Sequence, residues 1–329
     1  MKTGNELLRI KDLHTGFRIQ DTYYDAVDHV SLTLRKNEVL AIVGESGCGK
    51  STLASSIIGL HDHEKVRIQG EILYNDKNIA TMSEDELNKI RGVEISMIFQ
   101  DPLSALNPLM RIGDQIEEGL TYHTNLTKSE GKKYVLELLH QVGITDSKRV
   151  AKQFPHQLSG GMRQRVMIAI AIACKPQIII ADEPTTALDV TIQSQILDLL
   201  LSLKNETNSG ILLITHDLGV VAEVADRVAV MYAGEIIEEA PVEKLFKNPK
   251  HPYTRSLFHS VPQMNSHNGR LNVIQGIVPS LIHLPRNGCR FASRIPWIPE
   301  EAHEENPVLH EISPGHFVRC TCWKHFYLS

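Results

Sequence analysis

The chain has 329 residues, 42% hydrophobic and 22% charged, with a formal net charge of −5. This is an ordinary globular composition, long enough for one large domain with an appendage or for two domains, and able to bury a core without disulfides or metals. It excludes a global positive field that would draw nucleic acid or anionic lipid.

The longest apolar run, residues 166–174, falls well short of the roughly 20 residues that span a bilayer. The opening Met1-Lys2-Thr3-Gly4-Asn5-Glu6 lacks the apolar centre of a secretory signal. Five cysteines is an odd count, and Cys48 and Cys174 lie far from the others. That argues against a disulfide framework and for a reducing cytosol.

Residues 7–10 and 30–34 alternate apolar and polar side chains, as half-buried strands do. Val39-Leu40-Ala41-Ile42-Val43 is apolar throughout, the pattern of a parallel strand covered on both faces. It enters a glycine-rich turn and a helix over 51–60, and a strand follows at 70–74. From about 101 to 160 the texture is helical, with apolar periodicity over 112–120 and 128–142. This predicts a helical subdomain inserted into an α/β body.

The body resumes after Met162 with a helix, the buried strand Ile178-Ile179-Ile180-Ala181, a helix over 192–204 and the buried strand Ile211-Leu212-Leu213-Ile214. Strands alternating with helices predict a mostly parallel sheet covered on both faces. Beyond about Pro249 no period is visible, so residues 249–329 are expected to form an irregular extension to a body of residues 1–248.

Gly44-Glu45-Ser46-Gly47-Cys48-Gly49-Lys50-Ser51 fits G-x-x-x-x-G-K-[ST], and it lies between a buried strand and a helix, the context the pattern requires. Its glycines allow backbone N–H groups to turn inward on phosphate oxygens, and the helix beginning around Ser51 and Thr52 adds its positive end. Lys50 is expected at the β- and γ-phosphates and the Ser51 hydroxyl on Mg²⁺. Asp182, closing a buried strand, suits Mg²⁺ directly or through water. Glu183 can polarise an attacking water. Alone, the pair reads as two solvated acids. His216, after the next strand, can hydrogen-bond a γ-phosphate and hold the water, although a lone His there is ordinarily structural. The Gln100 amide can reach Mg²⁺ or water.

Leu158-Ser159-Gly160-Gly161-Met162-Arg163-Gln164 resembles the signature of ABC ATPases. The P-loop, Gln100, this signature, Asp182-Glu183, Ala187-Leu188-Asp189 and His216 follow that family's order. The chain is thereby identified as resembling an ABC cassette: an α/β P-loop NTPase with a mostly parallel core sheet, an N-terminal β subdomain and an inserted helical subdomain.

The resemblance implies head-to-tail pairing of two cassettes, with ATP between one P-loop and the other subunit's Ser159, Gly160, Gly161 and Gln164. The D-loop role falls on Asp189. An aromatic side chain is expected on adenine, with Phe17 the first candidate and Tyr24 the second; strand packing is the alternative for both. With one P-loop and one signature, the chain must pair with a copy or a homologue.

A narrower resemblance, to the oligopeptide/dipeptide/nickel importer subgroup, rests on Phe99-Gln100-Asp101-Pro102, Ser104-Ala105-Leu106-Asn107-Pro108, Gln153-Phe154-Pro155-His156-Gln157-Leu158, Thr215-His216-Asp217-Leu218-Gly219 and His251-Pro252-Tyr253-Thr254. It implies a peripheral subunit on the cytoplasmic face of the cell membrane, paired with a second, homologous ATPase. Its other partners are two permease subunits and, indirectly, an extracellular peptide-binding protein. Nickel or another metal complex is the alternative cargo. Leu103, Leu106, Leu109 and Met110 are either permease contacts or subdomain core.

Many relatives hold an iron–sulfur cluster on four tail cysteines; here Ile295 and Ala302 stand at the second and third positions, so no cluster is expected. Cys289, Cys320, Cys322 and His303 are left either as free groups or as a zinc site. A non-transport ABC ATPase acting on nucleic acid lacks support, because sustained heptads, a second cassette and a basic surface are not seen.

Overall fold

The computed structural model describes residues 5–185, 188–259 and 276–326. Ala187 of the D-loop phrase, the opening residues 1–4, and residues 260–275 and 327–329 of the extension lie outside them.

The chain begins with β1 (Glu6–Ile19), β2 (Thr22–Arg35), β3 (Val39–Val43), α1 (Lys50–Ile58), β4 (Val66–Tyr74), β5 (Lys77–Asn78), α2 (Glu84–Ile90) and β6 (Ile95–Ile98). Then come α3 (Pro102–Ala105), α4 (Ile112–His123), α5 (Lys128–Gln141) and α6 (Ser147–Val150), an all-helical stretch where the sequence predicts the insertion. Next are α7 (Gly160–Ile172), β7 (Ile178–Asp182), α8 (Val190–Thr207), β8 (Gly210–Ile214) and α9 (Leu218–Val224). The last elements are β9 (Arg227–Tyr232), β10 (Glu235–Pro241), α10 (Val242–Lys247), α11 (Pro252–His259), β11 (Leu309–Ser313) and β12 (His316–Arg319).

These elements form two compact units. One contains Leu34–Glu38 and Thr81–Leu213 with the residues up to Leu7; the other contains Leu8–Thr33, Val39–Ala80 and the chain from Ile214 onward. In the first, the strand order is β8-β7-β6. β6 and β7 are parallel, with Ile95 opposite Ile178 and Ile98 opposite Ala181. Every residue of β6, β7 and β8 is buried, as their unbroken apolar runs require. α4 buries Ile112, Gln115, Ile116 and Leu120, a stripe at helical spacing. α5 opens with a reciprocal cap in which the Thr127 N–H donates to Glu130 Oε2 at 2.8 Å.

The second unit has a sheet of order β2-β1-β4-β5. β1 and β4 are antiparallel from Leu8 opposite Tyr74 to Phe17 opposite Val66, with a register shift between Lys11 and His14. Its other strands run in the order β11-β12-β10-β9-β3. β3 and β9 are parallel, whereas β9, β10, β12 and β11 pair antiparallel. The extension is therefore more regular than its composition suggests, since α11, β11 and β12 all fall in the stretch read as irregular. The two short strands hid because His, Glu and Arg occupy positions where sheet strands ordinarily carry Val or Ile.

One buried carboxylate explains part of this packing. Glu238 on β10 is fully buried and accepts the backbone N–H groups of Lys250 and His251 at 2.8 Å each, as well as His316 Nε2 at 2.8 Å. It thereby joins β10, the entry to α11 and β12, with its lone pairs satisfied. Burial pushes His251 down to about 4, so this ring is neutral and its Nδ1 accepts the Tyr253 N–H at 3.1 Å.

Candidate nucleotide site

In the second unit, β3 feeds residues 44–51 into α1. A Cβ on Gly44 would run into the Met231 carbonyl oxygen. Gly49 has φ +107, and a Cβ there would lie 2.5 Å from the Ala26 carbonyl oxygen. Both positions therefore require glycine. Gly49 caps α1 without any side-chain hydrogen bond, which leaves the helix's first N–H groups directed into the loop. Lys50 is buried, and its Nζ donates to the Gly44 and Glu45 carbonyls at 2.8 and 2.9 Å. The turn is thus tied around one ammonium group. Cys48 is buried beside it, and burial pushes its thiol up.

The Phe17 ring meets His61 edge-on at 5.8 Å, and His61 Nε2 lies 3.2 Å from the Thr52 carbonyl and 3.0 Å from Ser56 Oγ. Phe17 is half-buried beside α1 in this way. Thr215 is held by its N–H donating to the Ile42 carbonyl at 3.3 Å. The next residue, His216, is exposed, and Asp217 caps α9 by accepting from Gly219 and Val220 N–H groups.

The first unit holds the other predicted groups. Asp182 is the buried last residue of β7. Glu183 follows in the left-handed region with φ 47, a conformation that turns its side chain away from the strand's alternation. Gln100 Nε2 donates to Glu183 Oε2 at 3.0 Å, so the structure brings these two together.

Ser159 caps α7, its hydroxyl accepting the Met162 N–H at 3.3 Å, and Asp189 caps α8 by accepting from Ile192 at 3.1 Å. Both line a cleft of about 520 Å³ together with Gly161, Leu188, Arg149 and Arg165. Gly160 is exposed at its helix start. Gln164 is buried, and its Nε2 donates to the Pro184 carbonyl at 2.6 Å. That side chain is engaged inside its own unit rather than presented outward like Ser159.

The ABC transporter family model matches residues 27–186, and a model of the oligopeptide/dipeptide transporter C-terminal region matches 237–297. The chain is similar to the oligopeptide transport ATP-binding protein OppD of Lactococcus lactis subsp. cremoris, with 54% identity over 98% of this chain and 96% of that one. It is 48% identical to the oligopeptide transport ATP-binding protein AppD of Bacillus subtilis, over 95% of this chain and 96% of that one. The chain belongs to the ABC transporter ATPase family. A solved dimeric ATP-binding cassette in a post-hydrolysis state with ADP and phosphate matches with TM-score 0.66 and 31% identity, over 72% of this chain and 99% of that one.

Around the P-loop of this ABC cassette, sequence reasoning missed the braces. Arg294, its side chain buried, donates through Nη1 to Glu45 Oε2 at 2.7 Å and through Nη2 to Glu45 Oε1 at 3.3 Å. The Tyr253 hydroxyl accepts the Glu45 N–H at 2.7 Å. Tyr253 lies in the family phrase His251-Pro252-Tyr253-Thr254, but nothing local in sequence pairs it with Glu45. Tyr253→Phe keeps the ring against Tyr232 and Phe291 and leaves that N–H without its acceptor. Urea unfolding is expected to show a loss of about 1–3 kcal/mol, and an unchanged midpoint would show that the bond carries nothing.

Gln115 was also missed. Its Oε1 accepts from the Asn107 N–H, and its Nε2 donates to the Asn107 and Met110 carbonyls, all at 3.0 Å. This fixes the loop before α4. There Leu106 is buried, while Leu103 and Leu109 are 60% and 85% exposed. The apolar set splits into core and surface.

Proposed function

We propose that this chain is the ATP-hydrolysing subunit that energises peptide import across the cytoplasmic membrane. The observation carrying this reading is the end-to-end similarity to oligopeptide transport ATP-binding proteins, including their C-terminal region at 237–297. The family's cassettes use ATP with Mg²⁺. In our reading, residues 44–52 surround the phosphates, and Lys50 exchanges the Gly44 and Glu45 carbonyls for β- and γ-phosphate oxygens. Ser51, Gln100 and Asp182 serve Mg²⁺, Glu183 activates water, and His216 holds the γ-phosphate. Phe17 is the candidate for stacking on adenine. Ser159, Gly160 and Gly161, with Asp189 nearby, serve the nucleotide of a second cassette, which we take to be a homologue. We place the cassette at 1–248 and the importer-type extension from 249.

No helix among the described residues is long and apolar enough to cross a membrane. Transport therefore needs permease subunits, and the exposed Leu103 and Leu109 are their docking candidates. The test is uptake of a labelled oligopeptide into proteoliposomes that hold this chain, the permease pair, the partner ATPase and the receptor. MgATP-driven uptake, abolished by Lys50→Ala, is expected; uptake indifferent to MgATP sinks the proposal. Leu109→Asp is expected to leave the isolated chain folded and ATP-binding but to block its co-purification with the permease. Normal co-purification removes Leu109 from the contact.

A further inference from the structure

Outside the nucleotide machinery, the extension gathers four soft donors. The Sγ atoms of Cys289, Cys320 and Cys322 and a ring nitrogen of His303 all lie within 4.8 Å of one another. Three separate stretches deliver them. Cys289 follows Gly288, which has φ 76; His303 follows a 3-10 turn over Glu300–Ala302; Cys320 and Cys322 follow β12. Cys320 itself has φ 66, a rare conformation for a side chain, and it breaks the strand's alternation so that both thiols of a Cys-x-Cys turn face inward.

Two further observations point to an ion. His303 Nδ1 is buried without a hydrogen-bond partner, whereas a buried polar nitrogen ordinarily has one. The Glu304 N–H donates to Cys320 Sγ at 3.4 Å, the kind of contact that supports a metal-bound thiolate from behind.

The donor set does not fit the four-thiolate cluster of many relatives. Ile295 and Ala302, at the other two positions, are apolar and buried. A four-iron cluster also places each sulfur on a different iron, which spreads the donors apart. A single tetrahedral ion with bonds of about 2.3 Å to sulfur and about 2.0 Å to nitrogen holds its donors roughly 3.5–3.8 Å apart, within reach of the observed spacing.

We propose that Cys289, His303, Cys320 and Cys322 form a closed structural Zn²⁺ site in the C-terminal extension. Three thiolates and one imidazole match zinc's preference for mixed sulfur and nitrogen donors, and four protein ligands leave no open position for catalysis. The ion crosslinks the 289 turn, the 303 turn and the end of β12, stretches far apart in sequence.

The full-length chain is purified without chelator or added metal, and zinc, iron and acid-labile sulfide are measured. About one zinc per chain is expected, with no sulfide. Cys322→Ser and His303→Ala are expected to lose it, while Cys174→Ser keeps it. Should the site variants fold poorly, the wild type still decides. Cobalt exchanged into it is expected to give intense tetrahedral d–d bands and thiolate charge-transfer absorption. The proposal is overturned by any of three results. One is a wild type that holds no zinc and takes up none in dialysis against it. Another is iron with matching sulfide, and the third is a disulfide among the three cysteines found by alkylation mapping.

Discussion

Glu183→Gln is expected to reduce ATP turnover about 10²–10⁴-fold, the range for loss of a positioned general base, while MgATP binding persists. The substitution keeps the side chain's size and an oxygen that can still accept from Gln100 Nε2, now 3.0 Å from Glu183 Oε2. What disappears is the basicity. Binding and turnover should therefore separate, which a misfolded site would not allow. On the proposed pairing of cassettes, blocked hydrolysis leaves the γ-phosphate between them, so size exclusion in excess MgATP should show a dimer that the wild type does not retain. If both proteins stay monomeric and nearly inactive, the working motor contains a homologous partner, and the comparison must be repeated with it present. A variant that hydrolyses at the wild-type rate would falsify the assignment of Glu183 as base.

The candidate nucleotide groups stand out in the sequence because the patterns that nominate them are local. The candidate P-loop is one turn, and two of its glycines, Gly44 and Gly49, are dictated by clashes with the nearby backbone of Met231 and Ala26. The buried strands ending at Asp182 and just before His216 declare themselves by unbroken apolar runs. The hairpin of β9 and β10 is also set by a local turn. Ala233 and Gly234, at φ 48 and 90, form the two-residue left-handed turn joining Tyr232 to Glu235.

The braces left no such local pattern. Arg294 meets Glu45 across 249 positions of chain, and Arg290 meets Asp28 across 262. No window of sequence contains both partners. Nor does composition show which of several arginines is buried. Leu103, Leu106 and Leu109 pose the same difficulty in miniature, because only the loop fixed by Gln115 separates the buried side chain from the exposed ones.

Arg290→Ala is expected to destabilise the chain by about 3 kcal/mol in urea unfolding at neutral pH, near the lower end for breaking a buried ion pair from one side. The Arg290 side chain is 3% exposed. It pairs with Asp28, donates to the Ala233 carbonyl at 2.5 Å, and brings Nε to 3.4 Å from Glu235 Oε2. Truncation leaves two largely buried carboxylates short of charge. The loss stays near the lower end because Arg286 still faces Asp28 at 3.2 Å and Arg319 still faces Glu235 at 3.4 Å.

The pH dependence gives the sign. Burial raises the Asp28 carboxyl, but the Arg290 charge and hydrogen bond, with smaller contributions from the nearby His14 and His29, more than offset it and hold the group below its ordinary value. Its contribution is thus complete at neutral pH and is lost as pH falls through that lowered value. Glu235 sits the other way. Burial, the largest influence, and the Asp28 charge outweigh Arg290 and Arg319 and push it up, so its ionisation opposes folding at neutral pH.

Without Arg290 both groups shift upward and take protons more readily in the folded state. The gap between variant and wild type should therefore narrow as pH drops from 7 toward 5. Adding Asp28→Asn to Arg290→Ala should recover part of the loss, because one stranded charge is gone. A gap that is constant with pH, together with additive losses, would mean that Arg290 acts through packing alone.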